Sequence, residues 1–297
     1  MFNKKSNIII VGAGKIAYSL TNALIKAGYN VDTIISRKLS SAKLLAKRFQ
    51  IQNFYNDLGS IPKKSQIFFL SVPDTKIEEV ARKLSKQNFD FKDSLFIHLS
   101  GALNIDVLKN LKKKHSKTAS FHILQSFPAK KIIELSGNYA AIETGEAVTK
   151  KFMFNLAGDL DMLSFEIKSS EKSNYHLASV LSSNFLVINM FIANQIYENE
   201  NFIDILYPIM LRTLQNTKNL GVSNALSGPI DRGDLKTIKN HLAAIKKIKN
   251  NNSDLIYKSY IMQSLSGLEL VKKKYAKLSK EHQETKEYLT RKLDSIS

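Results

Sequence analysis

Asn7-Ile8-Ile9-Ile10-Val11-Gly12-Ala13-Gly14-Lys15-Ile16-Ala17 is an apolar, β-rich run that turns through two glycines into a helical pattern. The turn fits G-x-G-x-x-A. A lone match is weak, but this one follows a predicted strand, Asn7–Val11, and opens a predicted helix, Lys15–Ala27, that stops at Gly28. Gly12 permits a tight turn, Gly14 lets a pyrophosphate approach the backbone, and Ala17 allows close helix–strand packing. The helix N-terminus adds free N–H groups and partial positive charge. Gly12, Ala13, Gly14, Lys15 and Ile16 are therefore candidate cofactor-binding residues. The alternative is a tight βα turn that holds no ligand.

Working outward, strand and helix signals alternate. Strands are predicted at Val31–Ile35, Gln66–Val72, Ser94–Leu99, Thr118–Phe121, Tyr139–Ile142 and Met162–Ile167. Helices are predicted at Ser40–Phe49, with Ser40 as N-cap, at Thr75–Leu84 and at Val148–Gly158. Such alternation implies a parallel, doubly wound sheet. From Ser169 onward only helical periodicity remains: Ser170–Glu198, Ile203–Leu220, Asp234–Ile248 and Asp254–Lys274, then a charged tail, Lys277–Lys292. The stretch Asn224–Asp234, with two glycines and a proline, reads as neither helix nor strand. The expected architecture is α/β, a sheet domain in residues 1–168 followed by an all-α domain in residues 169–297.

The 297 residues carry 44 basic and 26 acidic side chains, a formal net charge of +18, with 43% hydrophobic residues. That excludes wholesale disorder and suits two domains. No cysteine is present, which excludes a disulfide scaffold, a thiolate zinc site, an iron–sulfur cluster and a cysteine nucleophile. We assign no metal site. Only six of the basic residues are arginine and the lysines are dispersed, which favours a solvated surface over a nucleic-acid footprint. Leu177–Tyr197 is uncharged and long enough to span a bilayer. It also contains Ser179, Ser182, Ser183, Asn184, Asn189, Asn194 and Gln195, so it reads as a helix buried inside a soluble, cytoplasmic protein with no membrane contact.

The end of the second strand bears on the cofactor. An acid there binds a ribose 2′-hydroxyl. Asp32 sits at the strand's start instead, and the strand ends at Ser36-Arg37-Lys38, a hydroxyl and two cations suited to a 2′-phosphate. This reading favours NADP(H). The alternative leaves Arg37 and Lys38 as ordinary solvated residues.

With Gly12–Ala17 and Ser36-Arg37, the stretches Ser71-Val72-Pro73-Asp74 and His98-Leu99-Ser100-Gly101-Ala102 resemble the 6-phosphogluconate dehydrogenase-like group. Its members include β-hydroxyacid dehydrogenases, ketopantoate reductase and pyrroline-5-carboxylate reductase. Three stretches narrow the match: Phe121–Phe127, Tyr175-His176 through Ser183-Asn184-Phe185, and Leu226–Asp234. They resemble a family that pairs a Rossmann-like domain with a helical C-terminal domain of unknown function, over the chain as far as about Lys274. The resemblance implies a Rossmann-type sheet followed by a helical domain like the 6-phosphogluconate dehydrogenase C-terminal one. It also implies NADP-type oxidoreductase chemistry, with Val72 and Pro73 beside the cofactor; NAD(H) or a deazaflavin stays open. Relatives bury a helix such as Leu177–Tyr197 between subunits, so a homodimer is expected.

Relatives carry Lys-x-x-x-Asn in the first long helix of the second domain. Here Asn184 matches the asparagine, but Val180 stands where the lysine is expected. His176, Val180 and Asn184 share one helix face. His176 is the candidate general acid and Asn184 the candidate substrate-orienting residue. Their alternatives are a packed or capping histidine and a satisfied buried amide. Ser100 is a third catalytic candidate, on the carboxyl edge of the sheet beside Gly101. His98 reads as structural. Gly101, His122, Gln125, Arg232 and Asp234 are substrate-binding candidates. For Asp234 and Arg232 the alternative is a helix cap and its paired cation.

Together these readings predict an NADP(H)-dependent oxidoreductase. Hydride would pass to or from the carbonyl or imine carbon of a small, anionic substrate. The alternative is a nucleotide-binding sensor or regulatory protein on the same fold without redox turnover, which Val180 favours.

Overall fold

The computed structural model describes residues 2–63, 66–88, 90–197, 199–248 and 252–295. Eight strands form one sheet: β1 (Ile8–Val11), β2 (Val31–Ile35), β3 (Asn53–Tyr55), β4 (Ile67–Leu70), β5 (Leu95–His98), β6 (Lys117–Ile123), β7 (Tyr139–Glu143) and β8 (Leu163–Glu166). Their spatial order is β3-β2-β1-β4-β5-β6-β7-β8, so chain order reverses between β1 and β4. All neighbours are parallel except β6 and β7. The doubly wound parallel sheet expected from the sequence is present, with one antiparallel pair that alternation of strands and helices does not reveal. Short β3 was missed by sequence reading because three half-buried residues give too little periodicity.

Alternate residues of the central strands feed two cores. Ile8, Ile10, Ile67, Phe69, Leu95 and Ile97 face one side. They meet α1 (Lys15–Lys26), α2 (Leu39–Arg48) and α5 (Ala147–Asp159) through residues such as Leu20, Leu45 and Met153. Ile9, Val11, Phe68, Leu70 and Phe96 face the other side. There they meet α3 (Asp74–Leu84) and α4 (Lys109–Lys112), which supply Ile77, Ala81 and Leu111. Covering both faces is what makes β1, β4 and β5 continuous apolar runs. α2 starts one residue earlier than predicted; Lys38, not Ser40, is its N-cap, with no side-chain capping bond.

A 3-10 turn (Ser169–Glu171) leads into α6 (Lys172–Ile196). Glu198, the predicted end of that helix, lies outside the described residues. The chain divides into compact units at Phe185/Leu186 rather than at residue 168. The reason is local: Lys172, Tyr175 and His176 bind to β6 and β7, so the first turns of α6 belong with the sheet.

The second unit holds α7 (Phe202–Leu220), α8 (Val222–Ala225), α9 (Pro229–Arg232), α10 (Leu235–Lys246), α11 (Ser253–Tyr275) and α12 (Lys280–Asp294). Ile238, Leu242, Ile261, Leu268 and Leu289 form its core. Two sequence expectations change. The glycine- and proline-containing stretch includes two short helical turns, α8 and α9, because Pro229 occupies a first helical position and Gly233 ends the turn at φ +66°. The charged tail is an amphipathic helix that buries His282, Thr285 and Leu289. Lys274 Nζ binds both carboxylate oxygens of Asp231 (2.9 and 3.0 Å) and the Leu226 carbonyl, while His282 Nε2 donates to the Asp231 carbonyl at 3.0 Å.

α6 beyond His176 is not buried as expected. Leu177, Leu181, Phe185, Val187, Ile188 and Phe191 are each at least 47% exposed. Ile203, Ile205 and Ile209 of α7 are exposed as well. By length and composition alone, the helical stretch Ser169–Ile196 could also cross a membrane.

Candidate active site

The β1–α1 turn has the geometry its sequence predicts. Gly12 adopts φ +112°, and its N–H donates to the Ile35 carbonyl at 2.7 Å. A Cβ on Gly12 would meet the Ser71 carbonyl oxygen at 2.1 Å, so only glycine fits between β1 and the end of β4. Gly14 differs. Its φ of −82° suits any residue and a Cβ there would be in ordinary contact, so the fold itself does not demand glycine. Gly14 is the N-cap of α1, with no side-chain capping bond and no acid in the first turn. The free N–H groups of α1 thus open beside Ala13, Lys15 and Ile16 at the point where strand order reverses. Ala17 is fully buried, as close helix–strand packing requires.

Beyond β2, Ser36 is half-buried and Arg37 and Lys38 are exposed. Asp32 is engaged elsewhere, accepting from Thr33 Oγ1 (2.6 Å) and Asn53 Nδ2 (3.3 Å). Val72 borders Gly12, and Pro73 is the exposed N-cap of α3.

Farther along the carboxyl edge, register sets the chemistry. His98 at the end of β5 lies level with Ser120, and Ser120 lies level with Glu143 in the antiparallel pair. Into this row comes Lys172, only 1% exposed. Its Nζ lies 2.5 Å from Ser120 Oγ, 3.3 Å from the Ser100 carbonyl and 3.3 Å from Glu143 Oε2. Ser169 Oγ binds the other Glu143 oxygen. Burial pulls the Lys172 pKa down, against the opposing pull of Glu143. Sequence reading missed this lysine. The signal available was its place one turn before His176 on the same helix face, and an acid, Glu143, at the end of an apolar strand.

Ser100 Oγ donates to Asp74 at 2.6 Å and accepts from the Ala102 and Leu103 N–H groups, which fixes its loop. Gly101 is small for a reason different from substrate approach: a Cβ there would lie 2.7 Å from His122 Nε2. His122 shares a 2.7 Å hydrogen bond between Nδ1 and Tyr175 Oη, and its ring centroid is 6.3 Å from that of His176. Burial first, then the charge of Lys172, holds His122 down to about 4 and His98 down to about 3. Burial pushes Tyr175 up to about 12. Both histidines are thus neutral imidazoles at neutral pH.

The structure therefore brings together Ser100, Gly101, His122 and His176. The remaining candidates make contacts of their own. Gln125 serves a local turn, accepting from Ser126 N at 2.8 Å and donating to Asn138 at 3.5 Å. Asn184 is exposed on α6, its Oδ1 2.9 Å from Ser183 Oγ, two turns beyond His176. In the second unit Asp234 caps α10 through Thr237 N–H and Oγ1, bonds that hold its carboxyl below the usual range. Arg232 lies 3.9 Å from it and is exposed. Among the described residues no three His, Asp or Glu side chains gather to hold a metal ion.

Residues 2–122 match the model of a Rossmann-like domain, and residues 138–263 match a domain of unknown function, DUF2520. No curated protein matches the sequence. Among solved structures, a candidate NADP oxidoreductase from Bacteroides fragilis is 22% identical with a TM-score of 0.75, over 89% of this chain and 98% of that one. A reductive aminase from Aspergillus terreus, in complex with NADPH and ethyl levulinate, is 14% identical with a TM-score of 0.65, over 91% and 93%. A pyrroline-5-carboxylate reductase from Coxiella burnetii is 15% identical with a TM-score of 0.57, over 90% and 99%. At these identities the likeness is one of fold. The chain thus joins a Rossmann-like domain to a DUF2520 domain, on a fold that it shares with these solved structures.

Proposed function

We propose that the protein is an NADP(H)-dependent oxidoreductase acting on the carbonyl or imine carbon of a small anionic substrate. The observation that carries this reading is the Gly12 turn: a forced positive φ, no room for a Cβ, and the uncapped N-terminus of α1 at the switch point of the sheet. These features fit a dinucleotide. Gly12 to Ile16 would hold its pyrophosphate, Ser36, Arg37 and Lys38 its 2′-phosphate, and Val72 and Pro73 would border it. When bound, the nicotinamide supplies or accepts the hydride.

The chain's own residues would do the rest. Reduction of C=O or C=N needs a proton at oxygen or nitrogen, and His176 would provide it. Ser100 and His122 would orient the reacting group through hydrogen bonds, and Asn184 would align the substrate. Gly101 supports this indirectly by making room for His122. The reading also makes the protein a soluble, cytoplasmic homodimer. The amides and hydroxyls of α6 disfavour lipid, and the exposed apolar residues of α6 are a surface that a second copy would cover.

Titration of the purified protein with NADPH and NADH, followed by a carbonyl and imine panel, tests the reading. Saturable NADPH binding with substrate-dependent oxidation supports it. Binding without turnover on any substrate favours the sensor alternative, and no nucleotide binding overturns both. Light scattering that gives a monomer at micromolar concentration would overturn the dimer.

A further inference from the structure

The ammonium of Lys172 is the one buried cation whose partners come from three separate segments: the loop after β5 (Ser100 carbonyl), β6 (Ser120) and β7 (Glu143), among the described residues. Removing an ammonium from water is costly, and such groups are best understood where they fix a register. Two registers meet here. Along α6, Tyr175 and His176 follow Lys172 by three and four residues and so share its face. Along β6, His122 follows Ser120 by two and so shares its side of the sheet. Fastening Lys172 to Ser120 therefore aligns the next pairs automatically. Tyr175 Oη reaches His122 Nδ1 at 2.7 Å, and the rings of His122 and His176 stand 6.3 Å apart at 70°.

We propose that Lys172 is a positioning residue that sets the register of α6 on β6 and thereby places His122, which orients the reacting group, beside His176, which supplies the proton. What the pair does rests on the reductase reading; how it is held does not. The titratable groups around His122 are Lys172, Tyr175 and His176 of α6 and His98 of β5; Glu143 of β7 and Asp74 of α3 act on Lys172. Of the two charges on His122, Lys172 is the larger and disfavours its protonation.

The test is a histidine NMR titration of the full chain without cofactor or substrate, with signals assigned by single His→Gln variants. In the wild-type protein His122 stays neutral through pH 5.5 and shows through-space contact with His176. Lys172→Met removes the cation, and Lys172→Met/Glu143→Gln removes both charges, so that no unpaired carboxylate destabilises the fold. In either variant the His122 midpoint rises by about one pH unit and the contact with His176 is lost. Lys172→Arg, which keeps the charge, retains the low midpoint. A wild-type His122 that titrates near its ordinary value overturns the proposal. So does an unchanged midpoint and contact in a folded variant. In turnover assays the double variant lowers kcat at least tenfold and leaves NADPH affinity within twofold; equal turnover overturns the proposal. Failure of the wild-type protein to bind NADPH would instead overturn the reductase reading, and the NMR result would stand or fall by itself.

Discussion

Gly12 and Ser71 approach so closely that a methyl group on Gly12 would sit 2.1 Å from the Ser71 carbonyl oxygen, whereas the same group on Gly14 would be 3.5 Å from that oxygen. The two glycines of one motif thus differ: Gly12 is demanded by the fold, whereas nothing in the fold demands glycine at position 14.

Substitution separates the two roles. Gly12→Ala adds a forbidden contact and strains a positive φ, and should lower unfolding free energy by at least about 2 kcal/mol. Gly14→Ala should cost less than about 1 kcal/mol in denaturant titration yet weaken NADPH binding at least about tenfold. Equal destabilisation by both variants would contradict the assignment.

Arg37 and Lys38 project from the end of β2 with no ion pair among the described residues. A 2′-phosphate held there should give NADPH at least about a tenfold advantage over NADH, about 1.4 kcal/mol. Arg37→Asp should reverse or abolish the preference in fluorescence titrations. An unaltered ratio would remove Arg37 from the cofactor site.

His98 and His122 make stability depend on pH. Their folded values, about 3 and about 4, lie below the roughly 6.5 of an unfolded histidine. Between those limits the unfolded chain binds more protons. Stability contributed by the neutral imidazoles is therefore present above about pH 6.5 and is lost progressively as pH falls through about 4 for His122 and about 3 for His98. The urea midpoint should fall over that range, and a His122→Asn variant should show a shallower slope.

Asn184 is exposed on α6, so Asn184→Ala should change stability by no more than about 0.5 kcal/mol. If it orients the substrate, turnover should fall about a hundredfold with NADPH affinity unchanged. His176→Ala should lower turnover about a hundredfold and flatten its pH profile. A profile that keeps its shape would return His176 to a structural role.

The first strand, its glycine turn and the alternation that follows are legible in the sequence because each is a local pattern. The row His98–Ser120–Glu143 is not. Its His98–Ser120 half comes from the parallel pairing of β5 with β6 and its Ser120–Glu143 half from the antiparallel pairing of β6 with β7, each between segments some twenty residues apart that no periodicity announces. Lys172 is hidden for the same reason. In Ser169-Ser170-Glu171-Lys172-Ser173 it looks like a solvated helix start, and only the sheet edge buries it. The empty lysine position at Val180 draws attention away from a lysine two turns earlier. Likewise Lys277–Lys292 shows charge, while its helix is defined by three buried residues spaced for one face.

The turn Pro229–Gly233 is held from two sides, by Lys274 of α11 on the Asp231 carboxylate and by His282 of α12 on the Asp231 carbonyl, with Gly233 against the backbone of His282. These contacts restrict the backbone of the turn in the free protein. Whatever Arg232 meets, it meets as a stiff template, selecting by shape rather than by adjustment and losing little freedom on contact. α12 acts as a splint for that template. A chain cut after Lys274 would give the turn back its freedom, and a ligand of Arg232 would then have to order the turn as well as fit it.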